Sequence, residues 1–153
     1  MSDKNDWRAK VKEAGISGPW DAEPDREEFR HAGFPCLMRR GYSGAWCGYV
    51  GVPRGHAAHG KAYDAVEVEV HGGLTYASPC QGEICHVPAA GESDDVWWFG
   101  FDCAHAFDVA PRMLELYPSG EDYGQADTYK TLEWVKAETR ELAEQLARLS
   151  QAS

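Results

Sequence analysis

Basic residues are scarce in this chain: 15 Lys and Arg stand against 25 Asp and Glu, a formal net charge of −10. A surface this acidic cannot track a phosphate backbone, which excludes broad binding to a nucleic acid duplex. A small anion in a local basic pocket, or a basic protein partner, remains open. Long apolar runs are missing as well, and nothing approaches the ~20 residues of a membrane span or the core of a secretory signal. The expectation is a soluble, cytoplasmic protein without a membrane partner. The cysteine count is five, so the thiols cannot all pair within one chain. Reduced thiols are therefore the expected state. Neither a G-x-x-x-x-G-K-S/T phosphate loop nor an H-E-x-x-H metal motif occurs. The sequence thus names no cofactor, no particular metal and no oligomeric state.

What is present suits one domain. At 153 residues and 43% apolar content, with six Trp, seven Tyr and five Phe, the chain can build a sizeable core. The expected fold class is α+β: a mainly antiparallel sheet of about four or five strands with a long C-terminal helix packed on one face. Residues 1–33 read as N-terminal helices and loops, 34–109 as the sheet region, 110–127 as a loop and 128–150 as the helix. Asp6 is placed to cap a short helix over 7–14, closed by Gly15. Pro24 suits the first turn of a second short helix running to His31, closed by Gly33. Segments 35–40 and 45–52 read as a hairpin across Gly41-Tyr42-Ser43-Gly44. A third strand is expected over 66–76. There Val66, Val68 and Val70 alternate with Glu67, Glu69 and His71, and Gly72-Gly73 marks a bulge or a close backbone approach. Val96 to Cys103 is the fourth strand, too apolar to face water. The C-terminal helix carries an apolar stripe of Leu132, Val135, Leu142, Leu146 and Leu149, interrupted by Thr139 and capped by Asp127 or Thr128.

Polar groups at the point where a rigid strand leaves its sheet are well positioned for a site. Asp102, Cys103 and His105 hold that position. If the third and fourth strands are neighbours, His71 can meet Asp102, and the carboxylate can orient the imidazole as a general base. His71, Asp102 and His105 are therefore the candidate catalytic residues. Glu69 and Thr75 are supporting polar groups, and Trp98 is a ligand-contacting wall. A buried histidine satisfied by a carboxylate accounts for the same pair without any chemistry. Gly48, Gly72 or Gly73, and Gly100 form either a trough for a small molecule or a place where the C-terminal helix approaches closely.

The loop over 54–61 carries Arg54, His56, His59 and Lys61. It reads as an anion clamp, for a phosphate for example, or as a solvated surface loop. His56, His59, His71, Asp102, His105 and Asp108 also supply enough nitrogen and oxygen ligands for Zn²⁺ or Mn²⁺. Cys80, Cys85 and His86 suit half of a structural zinc site, or buried free thiols. The function these residues suggest is a small-molecule-binding protein or hydrolase-like enzyme whose ligand is a nucleotide or another phosphate-containing compound. The alternative is a non-catalytic module that sequesters a nucleotide signal, or that engages a basic host protein through acidic residues from Glu115 to Glu144.

The stretches Trp46-Cys47-Gly48-Tyr49-Val50-Gly51-Val52, His71-Gly72-Gly73-Leu74-Thr75-Tyr76 and Trp97-Trp98-Phe99-Gly100-Phe101-Asp102-Cys103-Ala104-His105 together resemble a family of small, uncharacterised proteins of bacteriophages, prophages and some bacterial genomes. The resemblance runs from about Gly18 into the C-terminal helix. It implies a cytoplasmic setting and an accessory role in phage–host conflict, and it transfers no catalytic residue.

Overall fold

The computed structural model describes residues 6–41, 43–88, 90–92, 95–103, 111 and 129–152. Strands β1 (Arg26–His31), β2 (Phe34–Arg40), β3 (Trp46–Pro53), β4 (Tyr76–Pro79) and β5 (Val96–Asp102) form one antiparallel sheet in the order β1-β2-β3-β5-β4. Helix α1 (Asp6–Glu13) precedes the sheet, and α2 (Leu132–Ala152) packs across one face of it. The architecture is the α+β arrangement that the sequence implies. Among the described residues, no helix is long and apolar enough to cross a membrane.

Period-two alternation sorts the strand side chains onto two faces. On one face Cys36, Met38, Val50, Val52, Phe99 and Phe101 meet Val135, Leu142, Ala143 and Leu146 of α2. On the second face Leu37, Tyr49, Val96 and Trp98 form a smaller core, against which Tyr76 and Ile84 pack. With both faces covered, the run from Val96 to Phe101 has no polar side to show, which is why it reads as continuously apolar.

Two glycines settle the trough-or-helix question. A Cβ at Gly48 would lie 2.4 Å from Thr139 Oγ1 and 2.6 Å from the Phe101 ring, so this position admits α2. Thr139 is fully buried, and its hydroxyl donates to the Val135 carbonyl at 2.7 Å. A Cβ at Gly100 would lie 2.4 Å from the Tyr49 ring, on the second face. The two glycines therefore serve opposite faces, and no shared trough runs across the sheet.

The helix expected from Pro24 to His31 is instead β1. Ala32 (φ 55°) and Gly33 (φ 87°) form a two-residue turn with both φ positive, the geometry that matches hairpin twist. Glu27, Phe29 and His31 then face α2, where Lys136 meets Glu27 at 3.0 Å and Glu144 meets His31 at 3.4 Å. Pairing of all six β1 residues with 34–39 of β2 outweighs the helix propensity of Arg-Glu-Glu.

The strand expected over 66–76 joins the sheet only at its end. Thr75 N–H donates to the Gly100 carbonyl at 2.9 Å, and regular pairing begins at Tyr76. The preceding residues are an extended strap held by side chains of α2. Gln145 accepts from the Glu69 N–H at 2.7 Å and donates to the Glu69 carbonyl at 2.8 Å, imitating a neighbouring strand. Glu138 accepts from the His71 N–H at 2.8 Å. Val66, Val68 and Val70 pack against the main core. The alternation was a true signal of one buried side, with a helix rather than a strand as partner.

A buried ionic cluster ties the ends of the chain to β2. Arg40 is 4% exposed, and its guanidinium lies 3.9 Å from the Trp46 ring centroid and 4.9 Å from that of Trp7. It donates to Glu23 at 3.1 Å and to the Gly44 carbonyl at 2.8 Å. Glu23 also accepts from Trp46 Nε1 at 3.3 Å, from the Tyr129 hydroxyl and from the Leu132 N–H at 2.7 Å. One carboxylate thus neutralises Arg40 and satisfies an orphan donor at the start of α2. The caps expected at Asp127 and Thr128 lie outside the described residues; Thr131 Oγ1 accepts from Trp134 N–H at 3.3 Å.

Cys80 and Cys85 are joined by a disulfide, so the expectation of reduced thiols fails for this pair, as does a half zinc site built on it. Between them Gln81 and Ile84 exchange backbone hydrogen bonds of 3.1 and 3.0 Å, a tight hairpin that brings the flanking sulfurs together. Cys36 and Cys47 are free thiols, and Cys103 is buried.

Candidate functional site

The strand registers place Arg26, Arg39, Cys47 and Asp102 in one row across β1, β2, β3 and β5. Arg26 is opposite Arg39, Arg39 opposite Cys47, and Cys47 opposite Asp102. Neighbouring strands lie about 4.8 Å apart, so the row spans about 14 Å of the second face. Each residue is there because its strand alternates: its neighbours Met38, Gly48 and Phe101 turn toward α2.

At one end of the row the Thr75 hydroxyl donates to Asp102 Oδ2 at 3.3 Å. This contact joins the His71–Tyr76 stretch to the end of β5. In the middle, the Tyr49 hydroxyl sits between the Arg39 guanidinium and the Cys47 thiol. Burial pushes the Cys47 thiol up to about 11, and the Asp102 charge adds to the rise. Burial likewise pushes the Tyr49 hydroxyl well above its ordinary value. For Arg39, burial opposes the charge, but Tyr49 and the Glu83 carboxylate outweigh it, so it stays firmly ionised. The row therefore offers a hydrogen-bonding carboxylate and hydroxyl at one end, neutral groups in the middle and two cations at the other end.

His71 and Asp102 have their described contacts on different faces. The His71 ring meets Trp134 of α2 edge-on, centroids 5.0 Å apart, whereas Asp102 meets Thr75 and Cys47 on the second face. His105 and Asp108 lie outside the described residues. Glu69 is bound through its backbone to Gln145, and its side chain is at an exposed position. Trp98 is fully buried, its ring edge-on to His86 at 5.5 Å, so it belongs to the second core.

The cationic loop sits at the far end of β5 from Asp102, about 20 Å away along seven residues. Asp95, just before Val96, accepts from His59 at 3.2 Å and lies 3.9 Å from Arg54. Lys61 presents its carbonyl to Trp97 Nε1 at 2.9 Å, and it borders a cavity of about 280 Å³ with Ala58, Val66 and Leu149. His56 is buried: its Nε2 donates to the Leu146 carbonyl at 2.8 Å and its Nδ1 accepts from the Ala58 N–H at 2.9 Å. Both ring nitrogens are spent on holding the loop to α2. Among the described residues, no three His, Cys, Asp or Glu side chains come together to hold a metal ion.

Sequence reasoning placed Tyr49 beside the candidate pocket but missed Arg39 and Arg26 as members of the site. The signal was the alternation in 34–40 and 46–53, which puts 37, 39, 47 and 49 on one face. No protein-family model, curated protein or solved structure matches the chain.

Proposed function

We propose that the protein binds a small polar molecule on the second face of the sheet, with Asp102 and Thr75 as the groups that recognise it. The observation that carries this reading is the Thr75–Asp102 hydrogen bond, where an irregular turn meets the end of a rigid strand. A carboxylate in that position selects ligands that present hydroxyl or amino donors, and a nucleoside or nucleotide meets the description. Binding rather than turnover is the reading supported here. The nearby Cys47 thiol stays protonated at neutral pH. The resemblance to phage and prophage proteins suits an accessory that captures a small molecule.

Isothermal titration with a panel of nucleosides and nucleotides, on wild type, Asp102→Asn and Thr75→Val, tests the proposal. A ligand bound by the wild type is expected to lose about tenfold in affinity on Asp102→Asn, with the melting temperature nearly unchanged. Equal affinity in wild type and Asp102→Asn would remove Asp102 from the site.

A further inference from the structure

Arg26 and Arg39 face each other directly across β1 and β2, an arrangement that like charges oppose. Glu83 bridges the two side chains through different groups. Glu83 accepts from Arg39 Nη2 at 3.2 Å through its carboxylate and from Arg26 Nη1 at 2.6 Å through its carbonyl. Arg26 also donates to the Cys85 carbonyl at 3.0 Å and to Glu28 at 3.2 Å. Glu83 lies in the hairpin closed by the Cys80–Cys85 disulfide, so a covalent clasp holds its carboxylate on Arg39 and its carbonyl on Arg26.

We propose that the Arg26–Arg39 pair is an oxyanion site for a phosphate group, and that Glu83, clasped by the Cys80–Cys85 disulfide, is its internal occupant. This rests on the ligand site at Asp102 and extends it. The arginines lie two and three strands from Asp102, about 10 to 14 Å, the span of a nucleoside monophosphate whose sugar or base meets Asp102. Planar guanidinium donors suit phosphate oxygens, and Arg39 stays charged despite partial burial. Reduction of the clasp by a small dithiol breaks the S–S bond, leaves two thiols on the protein and converts the dithiol to its cyclic disulfide. The hairpin then loses its covalent closure, and Glu83 competes less well with an incoming phosphate.

Titration with inorganic phosphate at constant ionic strength tests the site without any nucleoside. Oxidised wild type is expected to bind weakly, and Glu83→Gln about tenfold more tightly, because a tethered competitor has been removed. Adding Arg39→Gln to Glu83→Gln is expected to abolish the gain. Reduced wild type is expected to move in the direction of Glu83→Gln, which checks the clasp on the unmutated chain. No gain in Glu83→Gln, or a gain that survives Arg39→Gln, overturns the arginine site. A gain in Glu83→Gln without one on reduction overturns the role of the clasp. Phosphate binding by Glu83→Gln with no nucleoside dependence on Asp102 separates failure of the Asp102 reading from failure of this one.

Discussion

Cys47 stands in the middle of the proposed site, yet its thiol is held up at about 11, and burial holds that of Cys36 at about 12. Both folded-state values exceed the ordinary 9.0. Their contribution to stability is thus complete below pH 9 and is lost as pH rises through 11 to 12. Thermal unfolding between pH 8 and 12 is expected to show a falling melting temperature above pH 9, and Cys47→Ala should flatten the earlier part of that fall. At pH 8, iodoacetamide should label Cys47 about 100-fold more slowly in the folded chain than in the unfolded one. His56 makes the opposite point about residue identity. In the sequence it reads as a loose metal ligand, whereas both its ring nitrogens are bonded to backbone. His56→Ala should cost about 2 kcal/mol in urea unfolding, and chelators should leave the wild-type curve unmoved. Only the closeness of loop 54–61 to α2 distinguishes the two roles, and sequence order does not contain it.

Individual elements were legible to the extent that their periodicity had one explanation. The stripe Val135, Leu142 and Leu146 predicted α2 because a 3.6-residue repeat has no other regular outlet. The two-residue repeat at 66–70 had two outlets, a strand or a strap, and Gln145 decided for the strap. Gln145→Ala removes two hydrogen bonds from that segment and is expected to cost about 1–3 kcal/mol. Amide exchange at Glu69 should accelerate more than exchange in β5. The start of α2 depends on Glu23, more than a hundred residues earlier in the chain. Glu23→Ala leaves Arg40 buried without its closest carboxylate and should destabilise by about 3–5 kcal/mol. A double-mutant cycle with Tyr129→Phe would show coupling if the cluster acts as one unit.

Across the whole molecule, the residues first grouped as one site separate along β5. Arg54, His59 and Lys61 gather near its start, and Asp102 stands at its end. A small ligand cannot bridge about 20 Å. Alanine at Arg54 is therefore expected to leave affinity at Asp102 unchanged, measured by the same titration. The clasp is also a global term: reducing Cys80–Cys85 should lower stability by about 2 kcal/mol for so short a loop. Far-UV circular dichroism should stay the same, since no strand pairing passes through the hairpin residues 80–85 except its own.

The sequence by itself determined the α+β class, the strands β2, β3 and β5, and the helix α2. These follow from local steric preference and from the period at which apolar side chains recur. It also marked the end of β5 as a place for polar groups. The tertiary structure decided which strands are neighbours and hence that Arg26, Arg39, Cys47 and Asp102 share a row. It decided too that residues 26–31 pair as a strand, that Cys80 and Cys85 meet, and that Gly48 serves α2. Register, cross-strand charge and disulfide geometry are relations between distant segments. They are set by the packing that satisfies all segments at once, so no local pattern carries them.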